Sequence, residues 1–240
     1  MADADDLSGR FISAVEKMKA ALETQYQGVF FTGLGQVVRH AKEKRHSVVT
    51  RNERLLDRII TLRNAVQHEA YRHGEPVATP RASFVEETER LAEIIVRPPQ
   101  IKDYMTKSPS CLSPEVRLGE AAGMIIDHNL SQIPVYADDE YVGLFTTNGL
   151  ARWLSSAIDP SGEIMQESPT IADVLLFNEH SDTARFGKPT ETALRVCDWL
   201  SGEKAPHAVL VTTDGTPRGQ LQGIVTRFDV PGILRAVTID

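Results

Sequence analysis

Between Leu7 and about Gln27 the apolar residues Phe11, Ile12, Val15, Met18, Ala21 and Leu22 recur at the spacing of one helix face, which predicts an amphipathic helix. Gly28 to Gly35 interrupts the pattern, and a second helix is predicted from about Leu34 to Arg45. A third runs from Thr50, a residue type suited to capping, through Leu55, Leu56, Ile59, Ile60 and Leu62 to about Glu69. The stretch HGEPVATP has the Gly and Pro punctuation of a loop. A fourth helix follows from about Pro80, with Phe84, Val85, Leu91, Ile94 and Ile95 on its apolar side, and ends at Arg97 before Pro98-Pro99. Four helices joined by short loops predict a helical bundle over residues 1–97.

After Pro98-Pro99 the period changes, and short β-type runs alternate with helices. LGEAAGMIIDHN is helical, IPVY and YVGLFT are strands joined by a turn at Asp138-Asp139, and NGLARWLSSAI is a second helix. The order then recurs: ETALRVCDWLSG is helical, AVLVT and LQGIVT are strands around a turn at Asp214-Gly215, and RFDVPGIL opens a helix. GLFTTNGLARWL at 143–154 and GIVTRFDVPGIL at 223–234 agree in the glycine, the apolar pair and the threonine, 80 residues apart. The stretch SGEIMQESPTIADVLLFNEHSDTARFG holds the insertion that lengthens this spacing. A βαββα unit cannot bury both faces alone, so the two copies pack on one another. The chain is therefore predicted to be an α+β two-domain protein, with a duplicated second domain over 98–240 (repeat one about 98–158, repeat two about 168–240).

Composition narrows the function classes. With 41% hydrophobic and 25% charged residues in a chain of 240, this is the profile of a soluble globular protein with room for two cores. The apolar runs fall far short of the roughly 20 residues needed to cross a bilayer. The acidic start MADADDLSGR lacks the apolar segment of a signal peptide, so the expected location is the cytoplasm, with no membrane partner. Cys111 and Cys197 have no disulfide or zinc-ligand spacing and read as buried small hydrophobes, and His40, His46 and His73 show no repeated metal-ligand spacing. No metal site is predicted. Net charge is −7, yet residues 1–97 carry 15 Lys and Arg against 14 Asp and Glu, with nine basic residues between Arg39 and Arg72. Such a run is a solvated helix face or a phosphate-binding surface.

The second domain resembles the tandem cystathionine-β-synthase (CBS) domain pair, or Bateman module. The carriers are DYMTKSPSCLSP, the LGEAAGMI helix, the SQIPV strand and the two Gly-apolar-apolar-Thr stretches, which end in Asn148-Gly149 and in Asp229. The resemblance implies adenosine derivatives as regulatory ligands, AMP, ATP or a related adenosyl compound, bound in clefts between the repeats. It places the threonine hydroxyl on a phosphate and the aspartate on ribose hydroxyls. The residue types suit that chemistry, since a glycine permits close approach, a hydroxyl at a helix N-terminus favours an anion and a carboxylate accepts from a vicinal diol. Repeat two has the full set, Gly223, Thr226 and Asp229. Repeat one has Thr146 but Gly149 in place of the carboxylate, so one competent cleft is expected. The same resemblance assigns Met105, Lys107, Leu130 and Ser131 to the base side of the cleft closed by Asp229.

In the first domain, Arg63-Asn64-Ala65-Val66-Gln67-His68 matches the R-N-x-x-x-H motif of HEPN domains near the end of the third helix of a bundle. Positions four or five apart on a helix lie on neighbouring faces, so Arg63 and His68 can converge if the helix ends near Gln67. Arg63 would hold a scissile phosphate, His68 would act as general base or acid and Asn64 would orient the phosphate. The resemblance implies a metal-independent endoribonuclease that works by 2′-hydroxyl attack at a homodimer interface, and the local basic excess suits an RNA partner. The opposing reading makes Arg63 and His68 structural. Two functions follow: an adenine-nucleotide-regulated HEPN-type endoribonuclease, or a non-catalytic CBS-domain nucleotide sensor whose helical domain dimerises or binds a partner.

Overall fold

A computed structural model describes residues 2–68, 78–165 and 167–239. The chain divides into two compact units, Met1–Pro99 with Leu234–Asp240, and Gln100–Ile233. The end of the chain thus groups with the helical unit, where the sequence pattern had placed all of 98–240 in the second domain.

The helical unit contains α1 (Ala2–Gln25), α2 (Leu34–Glu43), α3 (Ser47–Arg51), α4 (Glu53–His68) and α5 (Ala82–Val96). Phe11, Val15, Met18 and Leu22 fall at helical spacing on α1 and are fully buried, and α1 packs chiefly along α5, whose Val85, Leu91 and Ile95 are buried too. Val37 and Ala41 of α2 and Leu56 and Ile59 of α4 complete the core. Arg10 of α1 and Glu89 of α5 meet in a two-pronged ion pair of 3.0 and 2.7 Å on the surface.

Two expectations need correcting. Thr50 does not cap the third helix. It lies inside α3, whose N-cap is His46, with Nδ1 accepting from Val49 N at 3.4 Å. Burial lowers the His46 pKa, which keeps the imidazole neutral and able to accept. The predicted third helix is also broken at Asn52, which is 2% exposed. Its amide donates to Val48 O at 2.9 Å and Val237 O at 3.0 Å, and its oxygen accepts from Ile239 N at 2.8 Å. The break exists because this side chain fastens the end of the chain into the helical unit.

The second unit opens with a 3-10 turn (Ile101–Asp103) and β1 (Thr106–Lys107), followed by α6 (Leu118–His128), β2 (Gln132–Ala137), β3 (Glu140–Thr146) and α7 (Thr147–Ala157). Then come α8 (Ile171–Leu175), β4 (Ala184–Gly187), α9 (Ala193–Trp199), β5 (Ala208–Thr212), β6 (Leu221–Thr226) and α10 (Val230–Val237), of which the residues from Leu234 on belong to the helical unit. The β2–β3 turn has Asp138 and Asp139 at φ 45° and 67°, the left-handed pair of a tight hairpin.

The duplication is visible in register. Val135 faces Gly143 across β2–β3 and Val211 faces Gly223 across β5–β6, and each hairpin shifts register just after that valine. β4 lies parallel to β5, and its repeat-one counterpart is a single parallel bridge from Leu112 to Val135. β1 breaks the symmetry by pairing with β6, with Thr106 opposite Ile224 and Lys107 opposite Gly223, so the first strand of the unit completes the sheet of repeat two.

Candidate functional site

Three segments converge beside the end of β6. The crossing of β1 to β6 carries Thr106, Ser108 and Ser110 to that place, with Ser108 N donating to Gln222 O at 3.1 Å. The end of α6 supplies His128 and Asn129, the latter in the left-handed conformation (φ 51°) that ends the helix and turns the chain into Leu130 and Ser131. Ser131 is held because its carbonyl accepts from Thr147 N at 3.1 Å. From repeat two come Thr226, Phe228 and Asp229, just ahead of α10. Together they bound a cleft of about 730 Å³, within the size range of small-molecule sites.

Thr226 and Asp229 are already joined there. One Asp229 oxygen, Oδ2, accepts from Thr226 N at 2.7 Å and from Thr226 Oγ1 at 3.1 Å. The contact presents a hydroxyl, a carboxylate and the start of a helix to one space, which suits a ligand with an anionic group and a diol. The hydroxyl-bearing residues Thr106, Ser108, Ser110, Ser131 and Thr226 and also His128 line the same space, and neither Lys nor Arg is among its lining residues. Phe228 is 78% exposed and offers an apolar face.

Of the residues singled out in the sequence, Thr226, Asp229, Leu130 and Ser131 come together in this cleft. Met105, Lys107 and Gly223 do not line it. Met105 packs on Gly223, where a Cβ would lie 2.5 Å from its sulfur and 2.9 Å from Thr106 O. Gly223 therefore serves the approach of β1 rather than the approach of a ligand. Lys107 sits exposed on β1. Thr146 is 1% exposed and bonded to Asp182 at 2.7 Å. Sequence reasoning missed His128, Phe228 and the serines 108 and 110. The DYMTKSPS stretch carried a usable signal for the serines, but the two rings gave none without the fold.

On α4, Arg63 Nη2 is 4.0 Å from Glu16 Oε1 of α1, and its Nη1 is 3.4 Å from Asn64 Oδ1. The His68 side chain lies outside the described residues, as do Glu69 and His73.

Residues 101–156 match the family model of the CBS domain, so the chain carries a CBS domain there. No curated protein matches the chain. Among solved structures, CBSX2 in complex with AMP is 18% identical, with a TM-score of 0.42 over 56% of this chain and 94% of that one. A CBS domain pair in complex with 5′-methylthioadenosine and S-adenosyl-L-methionine is 22% identical, with a TM-score of 0.44 over 57% and 97%. The CBS domain of a bacterial CNNM/CorC family Mg2+ transporter in complex with ATP is 18% identical, with a TM-score of 0.45 over 64% and 97%. Among the described residues no helix is long and apolar enough to cross a membrane.

Proposed function

We propose that the second unit is a non-catalytic, cytoplasmic sensor module for an adenine nucleotide, bound between Thr226, Asp229 and the segments around Ser108 and Ser131. The observation that carries this reading is the Thr226–Asp229 pair at the start of α10, in a cleft lined by serine and threonine residues. Asp229 accepts from the ribose hydroxyls, the Thr226 and serine hydroxyls hold the phosphate and Leu130 and Phe228 flank the base. A triphosphate would bring charge that no Lys or Arg in the lining neutralises, so the ligand is a nucleoside monophosphate such as AMP in preference to ATP. Calorimetric titration of the full chain is expected to show AMP binding at least about tenfold tighter than ATP, a difference of roughly 1.4 kcal/mol. No binding of AMP, ATP or adenosine would overturn the proposal, and equal affinities would overturn the monophosphate preference.

The helical unit is assigned to dimerisation or partner docking. Arg63, the residue an endoribonuclease would direct at a phosphate, has the Glu16 carboxylate and Asn64 beside it, an arrangement that ties α4 to α1. Incubated with single-stranded RNA without metal, with or without AMP, the protein is expected to leave the RNA intact. Cleavage that disappears in Arg63→Ala or His68→Ala would restore the catalytic reading of that motif.

A further inference from the structure

The two repeats assemble their clefts from the same parts, but the chain itself fills one of them. As Met105 packs on Gly223 in repeat two, Leu175 packs on Gly143 in repeat one, with its nearest atom 3.2 Å from where a Cβ would be. The segment that follows Leu175 therefore stands to Thr146 as the Ser108–Ser110 segment stands to Thr226. In repeat two that segment borders open space. In repeat one it delivers Asp182, which is 1% exposed.

The Asp182 carboxylate is fully occupied. Its Oδ1 accepts from Thr146 Oγ1 at 2.7 Å, and Thr146 Oγ1 in turn accepts from Gly149 N at 2.9 Å in the first turn of α7. Its Oδ2 accepts from Glu179 N at 3.0 Å and is bridged by the Arg152 guanidinium. His207 Nδ1 lies 3.8 Å from Oδ1. Burial and the nearby Arg227 and Arg152 lower the His207 pKa, so the ring is neutral at pH 7 and Arg152 is the counter-ion. A buried carboxylate persists only with donors and a counter-charge of this kind.

Gly149 belongs to the same arrangement. A Cβ at 149 would fall 2.5 Å from Asn178 Oδ1, so the aspartate that repeat two carries at this place has no room here. Asn178 is fixed in turn, its amide donating to Leu144 O at 2.8 Å and Asp182 O at 3.2 Å. The glycine, the asparagine and the buried aspartate are complementary: one vacates the ribose position and the other two take up the space.

We propose that Asp182 is the resident occupant of the repeat-one cleft, its carboxylate on Thr146 where repeat two would place a ligand's anionic group, so that each chain takes up a single nucleotide. The stoichiometry rests on the nucleotide reading of the open cleft, whereas the self-occupied cleft stands apart from it. AMP titrated calorimetrically into the full chain is expected to bind once per chain, and a Thr226→Val/Asp229→Ala variant is expected to bind none. Thr146→Val is expected to keep the single site with unchanged affinity but to melt, without ligand, roughly 4 °C or more below the wild type, as is Asp182→Ala. Thr146→Ser is expected to melt like the wild type, which separates the hydroxyl bond from general disturbance. Two nucleotides per wild-type chain, or loss of a nucleotide in Thr146→Val, would overturn the proposal and leave the nucleotide reading standing. Should the wild type bind no AMP, the nucleotide reading fails, and melting alone decides: unchanged melting in both Thr146→Val and Asp182→Ala would show that no carboxylate is held there.

Discussion

Asp229→Ala is expected to weaken AMP binding about 10- to 100-fold while costing the ligand-free protein only about 1 kcal/mol. The two effects differ because the carboxylate has two jobs. Without ligand, its Oδ2 caps the turn by accepting from Thr226 N and Oγ1. Loss of such a cap is typically worth about 1 kcal/mol. With ligand, the carboxylate accepts from the ribose hydroxyls, and hydrogen bonds to a charged group contribute about 1.5–3 kcal/mol. Calorimetry reads the loss of AMP affinity and ligand-free denaturation the loss of the cap. Asp229→Asn should fall between, since its single amide oxygen can keep the cap but brings no charge to the diol. An Asp229→Ala variant that binds AMP as tightly as the wild type would remove this residue from the site.

The duplication is legible in the sequence because it is written in local chemistry. A glycine, an apolar pair and a threonine at a strand end are recognisable without coordinates, and with the flanking strand runs they delimit β2, β3, β5 and β6 to within a few residues. The break at Asn52 is illegible for the opposite reason. Its cause is a bond to backbone 185 residues away, and the helical period runs through it undisturbed. α8 lies between these cases. Thr170 and Asp173 form a capping box, with Thr170 N donating to Asp173 Oδ2 at 2.8 Å, and the T-x-x-D spacing would have marked a helix start in a stretch read only as insertion.

The site divides in the same way. Thr226 and Asp229 lie three residues apart, so their meeting is a matter of one turn. That Gly149 lacks a carboxylate is also plain in the sequence, but what takes the carboxylate's place is not. Asp182 is one acid among several in a polar segment, and only the chain path that brings it to Thr146, 36 residues away, gives it a role. Met105 and Gly223 show a subtler limit. Both were read as ligand-facing, yet they face each other, because the space a glycine opens is here filled by another strand.

That contact makes Gly223→Val the substitution with the largest expected structural effect. A Cβ at 223 would lie 2.5 Å from Met105 Sδ, 2.7 Å from its Cγ and 2.9 Å from Thr106 O. The methionine can swing away, but the carbonyl cannot, because β1 is held by its pairing with β6 at Lys107–Gly223 and Thr106–Ile224. Overpacking of this kind costs about 1–3 kcal/mol when neighbours can adjust, and the backbone obstacle puts the expected loss at or above about 3 kcal/mol. The effect reaches function because Thr106, Ser108 and Ser110, which line the cleft, are held there by β1. AMP affinity should therefore fall together with stability, although residue 223 does not line the cleft. Gly143→Ala supplies the comparison: its nearest neighbour is the tip of Leu175 at 3.2 Å, a side chain able to move, and the expected cost is under about 1 kcal/mol with AMP affinity unchanged. Equal stability losses at the two glycines, measured by chemical denaturation, would show that the crossing of β1 over Gly223 does not hold the cleft open.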